Sequence, residues 1–166
     1  MALKFSNSQE FLNKLQLAIN MFIAVPMLGF IVLFLRIENK TYNPDFLGKE
    51  IVFNLRWIEF FLVTGLSALG LIVFHRIRKK LAPSMTIREK LMIYYQASIS
   101  RSYYFLAATL LALAGLTLTA ESFYVIYYTI SLVMFSITYP TIFRINSELR
   151  LNKEEREVII SRGNIK

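Results

Sequence analysis

Four long runs of residues without charged side chains constrain this chain more than any other feature of its sequence. Three of them, residues 17–35, 103–120 and 122–143, contain no Asp, Glu, Lys or Arg. The fourth, residues 57–74, carries only Glu59 near its start. A hydrocarbon core of about 30 Å takes roughly 20 helical residues, so each run is long enough to cross a membrane. The sequence therefore predicts an all-α, polytopic membrane protein with four transmembrane helices.

The composition of the chain also favours a membrane environment. Hydrophobic residues make up 55% of the 166 residues, and the mean hydropathy is +0.48. A soluble domain of this size could not bury so much apolar surface. The runs lack the alternation of apolar and polar residues that is typical of membrane β-barrels. The chain has no cysteine, which excludes disulfide and thiolate chemistry.

The positively charged residues fall mostly on one side of the predicted membrane. Four spans place both termini and the middle connection on that side, where 15 of the 19 Lys and Arg residues lie. The loop 36–56 on the other side holds only Arg36, Lys40, Lys49 and Arg56. Cytoplasmic segments carry the excess of positive charge, so we expect both termini in the cytoplasm. The expected location is a bacterial inner (plasma) membrane.

The order of the runs suggests two tandem helical hairpins, over residues 1–82 and 83–150. The first hairpin ends with Arg76-Ile77 and the second with Arg144-Ile145, and a leucine follows each pair at the same spacing. This similarity suggests an internal repeat in which both halves enter the membrane from the same side.

Two capping signals extend helices beyond the membrane. Thr86 with Glu89, and Asn152 with Glu155, have the spacing of a capping box, in which the two side chains bond each other's backbone N–H groups. We therefore expect helical extensions on the cytoplasmic side, including a short C-terminal helix within residues 151–166.

Small residues on the second and third runs favour tight helix packing. In lipid, small side chains let helix backbones approach closely. The packing candidates are Thr64, Gly65, Ala68, Ala108, Ala112 and Gly115.

Basic residues near the cytoplasmic boundary are candidates for contact with anionic lipid headgroups. They also fit a simpler role as determinants of topology. Arg101 follows a tyrosine-rich segment at the mouth of the third run, and we expect it to be an interfacial anchor that tolerates replacement by Lys or Gln. The alternative is an inward-facing gate or ligand contact. The headgroup candidates are Arg76, Arg78, Lys79, Lys80 and Arg101.

Polar side chains within the runs could bond across helices or line a narrow path. These candidates are Asn20, Ser131, Ser136 and Thr138. A carboxylate in the middle of a span, which proton and sodium carriers usually need, is missing. Glu59 stands three residues after Arg56, a helical spacing that favours an interfacial ion pair.

No arrangement of residues in the sequence indicates catalysis. There is no nucleophile elbow, P-loop, dinucleotide fingerprint or HExxH motif. His75 is the single histidine and stands beside Arg76 and Arg78, a basic setting that disfavours a metal ion. We therefore predict a protein that is not an enzyme, binds no cofactor or metal, and does not bind nucleic acid.

Three patterns carry a resemblance to other proteins: KLxxY at residues 90–94 followed by Arg101, the Arg-Ile pairs that close the hairpins, and the tail ELRLNKEEREVI. In these features the chain resembles small uncharacterised four-helix bacterial membrane proteins, a likeness that implies no known activity. The double hairpin is also distantly similar to the two-hairpin proteolipids of rotary ATPases. It departs from them because neither half offers a mid-membrane carboxylate, so rotor function is doubtful.

The sequence predicts an oligomeric or accessory component of a membrane complex. Its expected partners are the lipid bilayer, anionic headgroups, and either further copies of itself or other membrane subunits. The alternative is a small channel or transporter formed by a homo-oligomer. Copurification with a different subunit would favour the first hypothesis, and a symmetric homo-oligomer with a hydrated axis would favour the second.

The predicted topology can be tested with single cysteines, because the native chain has none. Cysteines at Ser8, Asn43 and Asn164 should all react with a membrane-permeant thiol reagent, which serves as the control. An impermeant reagent applied to intact cells should label only the cysteine at position 43. Labelling at either terminal position from outside would contradict the predicted orientation.

Overall fold

A computed structural model describes residues 5–42, 44, 47–82, 84–149 and 151–161. These residues form six helices and no strand, and 82% of them are helical. The all-α prediction is therefore confirmed. The helices are α1 (Ser8–Glu38), α2 (Lys49–Arg78), α3 (Ile87–Thr119), α4 (Phe123–Ile137), α5 (Ile142–Glu148) and α6 (Lys153–Ile160).

Three of these helices, α1 to α3, are long and apolar enough to cross a membrane. The helices α4 and α5 together provide a fourth span only if they are counted as one, because they meet at an angle of 75°. The lengths and compositions of these helices indicate an integral membrane protein. Helix α4 ends at Ile137, inside the predicted fourth run of residues 122–143. Pro140 explains the break, because proline cannot donate an N–H to the preceding turn and its ring clashes with that turn.

Helix α3 lies at the centre of the bundle and packs against α1, α2 and α4. Its contact with α2 is the most extensive between any two described helices. Gly70 makes part of this contact possible. A Cβ atom added to Gly70 would lie 3.1 Å from the Cβ of Tyr104 and 3.2 Å from the carbonyl oxygen of Arg101. Helices α1 and α2, although consecutive in the chain, each pack mainly on α3.

The two ends of the bundle differ. The terminal end holds the starts of α1 and α3 together with α5 and α6, and the loop end holds the α1–α2 connection and the short α3–α4 turn. At the terminal end, both predicted capping boxes are present, at Thr86 with Glu89 and at Asn152 with Glu155. The predicted helix starts are therefore present in α3 and α6, and their position outside the membrane stays a prediction. Residues 162–166 of the predicted C-terminal segment lie outside the described residues.

The flanks of the bundle expose many large apolar side chains. Phe61, Leu28 and Val25 are among the most exposed, at 68%, 66% and 64% of their surface. A soluble protein rarely leaves a continuous apolar surface in water. This surface therefore suits a helix bundle whose flanks face lipid or other membrane helices.

Gly115 and Gly65 form a matched pair for testing the packing. A Cβ added at Gly115 would overlap the carboxyl group of Glu59 and the ring of Tyr124, whereas one added at Gly65 meets nothing within 4 Å. We expect Gly115→Ala to lower the free energy of unfolding by about 1–3 kcal/mol through overpacking. Gly65→Ala should leave stability unchanged or raise it by up to about 1 kcal/mol, because alanine favours helix. Thermal unfolding in detergent measures both, and equal effects of the two variants would contradict the described packing.

Candidate functional site at the break in the fourth helix

The break between α4 and α5 leaves backbone carbonyl groups without helical partners. The last carbonyl groups of a helix receive no hydrogen bond from an N–H group of the same helix. In the hydrocarbon core of a membrane, no water is present to donate one instead. Two side chains from other helices fill these positions. Arg101 of α3 donates from Nη2 to the carbonyl oxygen of Thr138 at 2.7 Å, and Gln16 of α1 donates from Nε2 to that of Pro140 at 2.9 Å. The break is therefore bonded to both neighbouring helices.

Arg101 is enclosed by the bundle, with 3% of its surface exposed. Its guanidinium Cζ lies 4.1 Å from the centre of the Phe74 ring on α2. A cation over an aromatic ring contributes about 0.5–2 kcal/mol, depending on how far it is removed from water. The carbonyl end of a helix also carries partial negative charge, which favours a cation there. Arg101 thus joins α2, α3 and the end of α4.

This placement differs from the expectation that Arg101 reaches lipid phosphate at the membrane surface. Pro140 is the sequence feature that could have predicted this placement of Arg101. A proline near the end of an apolar run leaves backbone carbonyls that need a hydrogen-bond donor. Gln16 was not singled out in the sequence, and its role follows from the same break. In discontinuous helices of transporters, the carbonyl ends coordinate cations. In this chain, the guanidinium group of Arg101 occupies the carbonyl end of α4.

A polar recess lies near this break at the terminal end. It has a volume of about 170 Å³ and is lined by His75, Arg78, Lys79, Leu81 and Glu148. Glu148 also pairs with Arg144, with Nε and Oε1 3.4 Å apart. The lining thus contains both basic and acidic side chains.

The small-residue candidates divide between the inside and the outside of the bundle. Ala108, Ala112 and Gly115 of α3 are buried and close the bundle itself. Thr64, Gly65 and Ala68 of α2 are exposed. Thr64 and Ala68 border an apolar groove of about 260 Å³, whose other walls include residues of α4. We call this exposed surface of Thr64, Gly65 and Ala68 the α2 face.

The remaining headgroup candidates lie where α2 ends. Arg76, Lys79 and Lys80 are exposed and Arg78 is half-buried, with its Cζ 5.8 Å from the centre of the Phe74 ring. Their position at one end of the bundle suits contact with headgroups. Such contact stays a prediction.

The four path-lining candidates do not meet inside the bundle. Ser131 and Thr138 are buried, but their hydroxyls donate to the carbonyls of Tyr127 and Met134 in their own helix, at 3.0 and 2.7 Å. Asn20 and Ser136 are exposed on α1 and α4. These side chains therefore outline no common path within one chain.

The expected pair between Arg56 and Glu59 is not formed. Arg56 instead bonds Glu121 in the α3–α4 turn, with Nη2 and Oε2 2.6 Å apart, and Glu59 is buried in the bundle. His75 is exposed, and its Nδ1 lies 3.3 Å from the carbonyl oxygen of Leu71. Over the described ranges, no three His, Asp or Glu side chains come together in a way that could hold a metal ion.

Comparison with known proteins adds no relative of this chain. No protein-family model, no curated protein and no solved structure matches it. The resemblances noted in the sequence therefore stay predictions, and the function has to be argued from the geometry of the bundle.

Arg101→Lys tests whether the arginine has a fixed geometric role. An ammonium group cannot reproduce the planar contact with Phe74 together with the bond to Thr138. We expect this variant to lower the free energy of unfolding by about 1–3 kcal/mol, comparable to the loss of one hydrogen bond to a charged group. The matched control is Arg76→Lys, at an exposed position, which should have no effect. Thermal unfolding in lipid nanodiscs measures the stability of both variants. A fully stable Arg101→Lys variant would instead support the role of Arg101 as an interfacial anchor.

Proposed function

We propose that this protein is a non-enzymatic integral membrane protein that serves as an oligomeric or accessory component of a membrane complex. The observation that carries this proposal is the use of the polar groups inside the bundle. Arg101 and several of the buried hydroxyl groups bond to backbone carbonyls, and the four polar candidates Asn20, Ser131, Ser136 and Thr138 do not face a common space.

The buried hydroxyl groups illustrate this use. Those of Ser67, Ser102 and Thr109 each donate to the carbonyl four residues earlier in the same helix, at 2.8, 2.9 and 2.7 Å. Such bonds satisfy a hydroxyl locally and leave little capacity to coordinate a passing ion. Arg101 adds a fixed positive charge at the helix break, which disfavours a mobile cation there. Both features favour a structural role over conduction through one chain.

The terminal end offers a preformed docking surface. Lys90 of α3 and Glu155 of α6 pair at 2.7 Å, with only 5% and 15% of their side chains exposed. Ser8 of α1 donates to the carbonyl of Val158 in α6 at 3.4 Å. A surface that keeps its shape without a partner loses less conformational entropy on binding. We infer that the ends of α1, α3 and α6 bind a partner on the cytoplasmic side.

The α2 face is the second surface that supports assembly, this time within the membrane. The small residues of α3 lie inside the bundle, where they let the helices pack closely. The small residues of α2 lie on the outside of the bundle. In lipid, helix association depends on close backbone approach and not on apolar burial. We infer that a second copy of the chain packs here, with a side chain of the partner in the adjoining groove.

The alternative is a small channel or transporter formed by a homo-oligomer. Asn20 and Ser136 are the observation that favours it, because both present polar groups to the outside of the bundle. A hydrated path would then run between subunits. The mass of the intact complex after native purification separates the hypotheses: a second kind of subunit supports the accessory role, and a symmetric ring with a hydrated axis supports the channel.

Leucine substitutions on the α2 face test the proposed assembly. Gly65→Leu and Ala68→Leu should keep the thermal stability of one chain, since both sites are exposed, but should reduce the complex to single chains in mild detergent. The matched control is Ala24→Leu, at an exposed alanine on α1. It should leave the complex intact. Light scattering coupled to size-exclusion chromatography gives the mass, and an unchanged mass in both α2 variants would mean that this face contacts lipid.

A further inference from the structure

Glu59 is a carboxyl group enclosed at the loop end of the bundle. Only 4% of its surface is exposed, and its Oε1 has no hydrogen-bond partner among the described residues. The carboxyl group lies over Gly115 of α3, beside the ring of Tyr124 from α4, since a Cβ on Gly115 would overlap both. The absence of a side chain on Gly115 thus creates the space that Glu59 occupies.

The positive charge nearest to Glu59 in the sequence is that of Arg56, three residues earlier on α2. Its guanidinium already bonds Glu121 of the α3–α4 turn, and its Cζ lies 4.6 Å from the centre of the Phe123 ring. Gly115 of α3 offers no polar side chain, and the apolar cluster that contains Tyr124 also includes Ala112 and Leu116 of α3, with Phe30, Leu33 and Ile37 of α1 packed against it. Helix α4 contributes the phenols of Tyr124, Tyr127 and Tyr128.

Two of these phenols are also incompletely bonded. The hydroxyls of Tyr124 and Tyr128 have no hydrogen-bond partner in the described part of the chain, whereas that of Tyr127 donates to the carbonyl of Arg56 at 3.3 Å. A buried carboxylate without a counter-ion costs several kcal/mol, and a neutral carboxylic acid avoids most of that cost. The surroundings of Glu59 therefore favour its protonated form.

A polar recess lies at the loop end of the bundle. It has a volume of about 340 Å³, and its walls include Lys49, Thr119, Arg56 and Glu121. The ion pair of Arg56 with Glu121 thus borders the recess, and Arg56 also lies one helical turn from Glu59. The Nε of Arg56 has no hydrogen-bond partner among the described residues.

We propose that Glu59 is a proton-binding site that exchanges its proton with the recess at the loop end. On release, the proton leaves the carboxyl oxygen for water in the recess and a carboxylate remains. Arg56, three residues away on the same helix, then becomes the counter-ion of Glu59 in place of Glu121. Proton binding is thereby coupled to an exchange of ion pairs at the α3–α4 turn. This inference is independent of the proposed assembly.

Infrared spectroscopy of the full chain in lipid bilayers tests this site. The wild-type protein at neutral pH should show the carbonyl band of a protonated carboxyl group, and the band should disappear in Glu59→Gln, which matches the neutral side chain in shape. The band should also fade as the pH is raised. Absence of any Glu59-dependent band at neutral pH would overturn the proposal.

A second pair of variants tests the role of Arg56. Glu121→Gln releases Arg56 to stabilise the Glu59 carboxylate, so the band should fade at a pH lower by about one unit or more. Glu50→Gln, at an exposed position in the first turn of α2, should leave the midpoint unchanged. Equal midpoints in Glu121→Gln and wild type would refute the exchange of ion pairs, and with it the proposed route through the recess.

Discussion

The hydrogen bond from Arg101 to the carbonyl of Thr138 is the interaction on which the arrangement of this bundle depends. Helix α4 is only 15 residues long, and the chain turns by 75° after it. Such a break exposes backbone carbonyls that need a donor, and lipid would not supply one. Arg101 and Gln16 supply donors from two different helices, so the break is bonded to α3 and α1 and is not left as a free end.

The same constraint separates the two polar regions of the bundle. Near the terminal end, the buried charge has partners: Arg101 has Thr138 and Phe74, and Lys90 has Glu155. At the loop end, the Oε1 of buried Glu59 has no hydrogen-bond partner among the described residues. A buried charge with a partner stabilises one arrangement of the helices. A carboxyl group without a partner can change its protonation state at low energetic cost to the rest of the bundle. This difference is why we assign assembly to the bundle as a whole and proton binding to Glu59 alone.

Local sequence patterns predicted much of the fold. The uncharged runs indicated the membrane-length helices, and the spacing of Thr86 with Glu89 located the start of α3 correctly, because a capping box involves residues within one turn. Contacts between distant residues were not accessible in this way. Arg56 has an acidic residue at helical spacing, Glu59, yet it bonds Glu121, which is 65 residues away. Which small residues face inward, those of α3 or of α2, likewise depends on how the helices are rotated, and no local pattern fixes that rotation.

The central claim is that Arg101 bonds the broken helix and does not anchor the chain to lipid phosphate. Solid-state NMR in bilayers can distinguish these two positions by measuring dipolar couplings from the Arg101 guanidinium carbon, assigned by its loss in Arg101→Lys. Our account predicts coupling to an isotope-labelled carbonyl of Thr138 and no coupling to lipid phosphorus. Coupling to lipid phosphorus without coupling to Thr138 would contradict it.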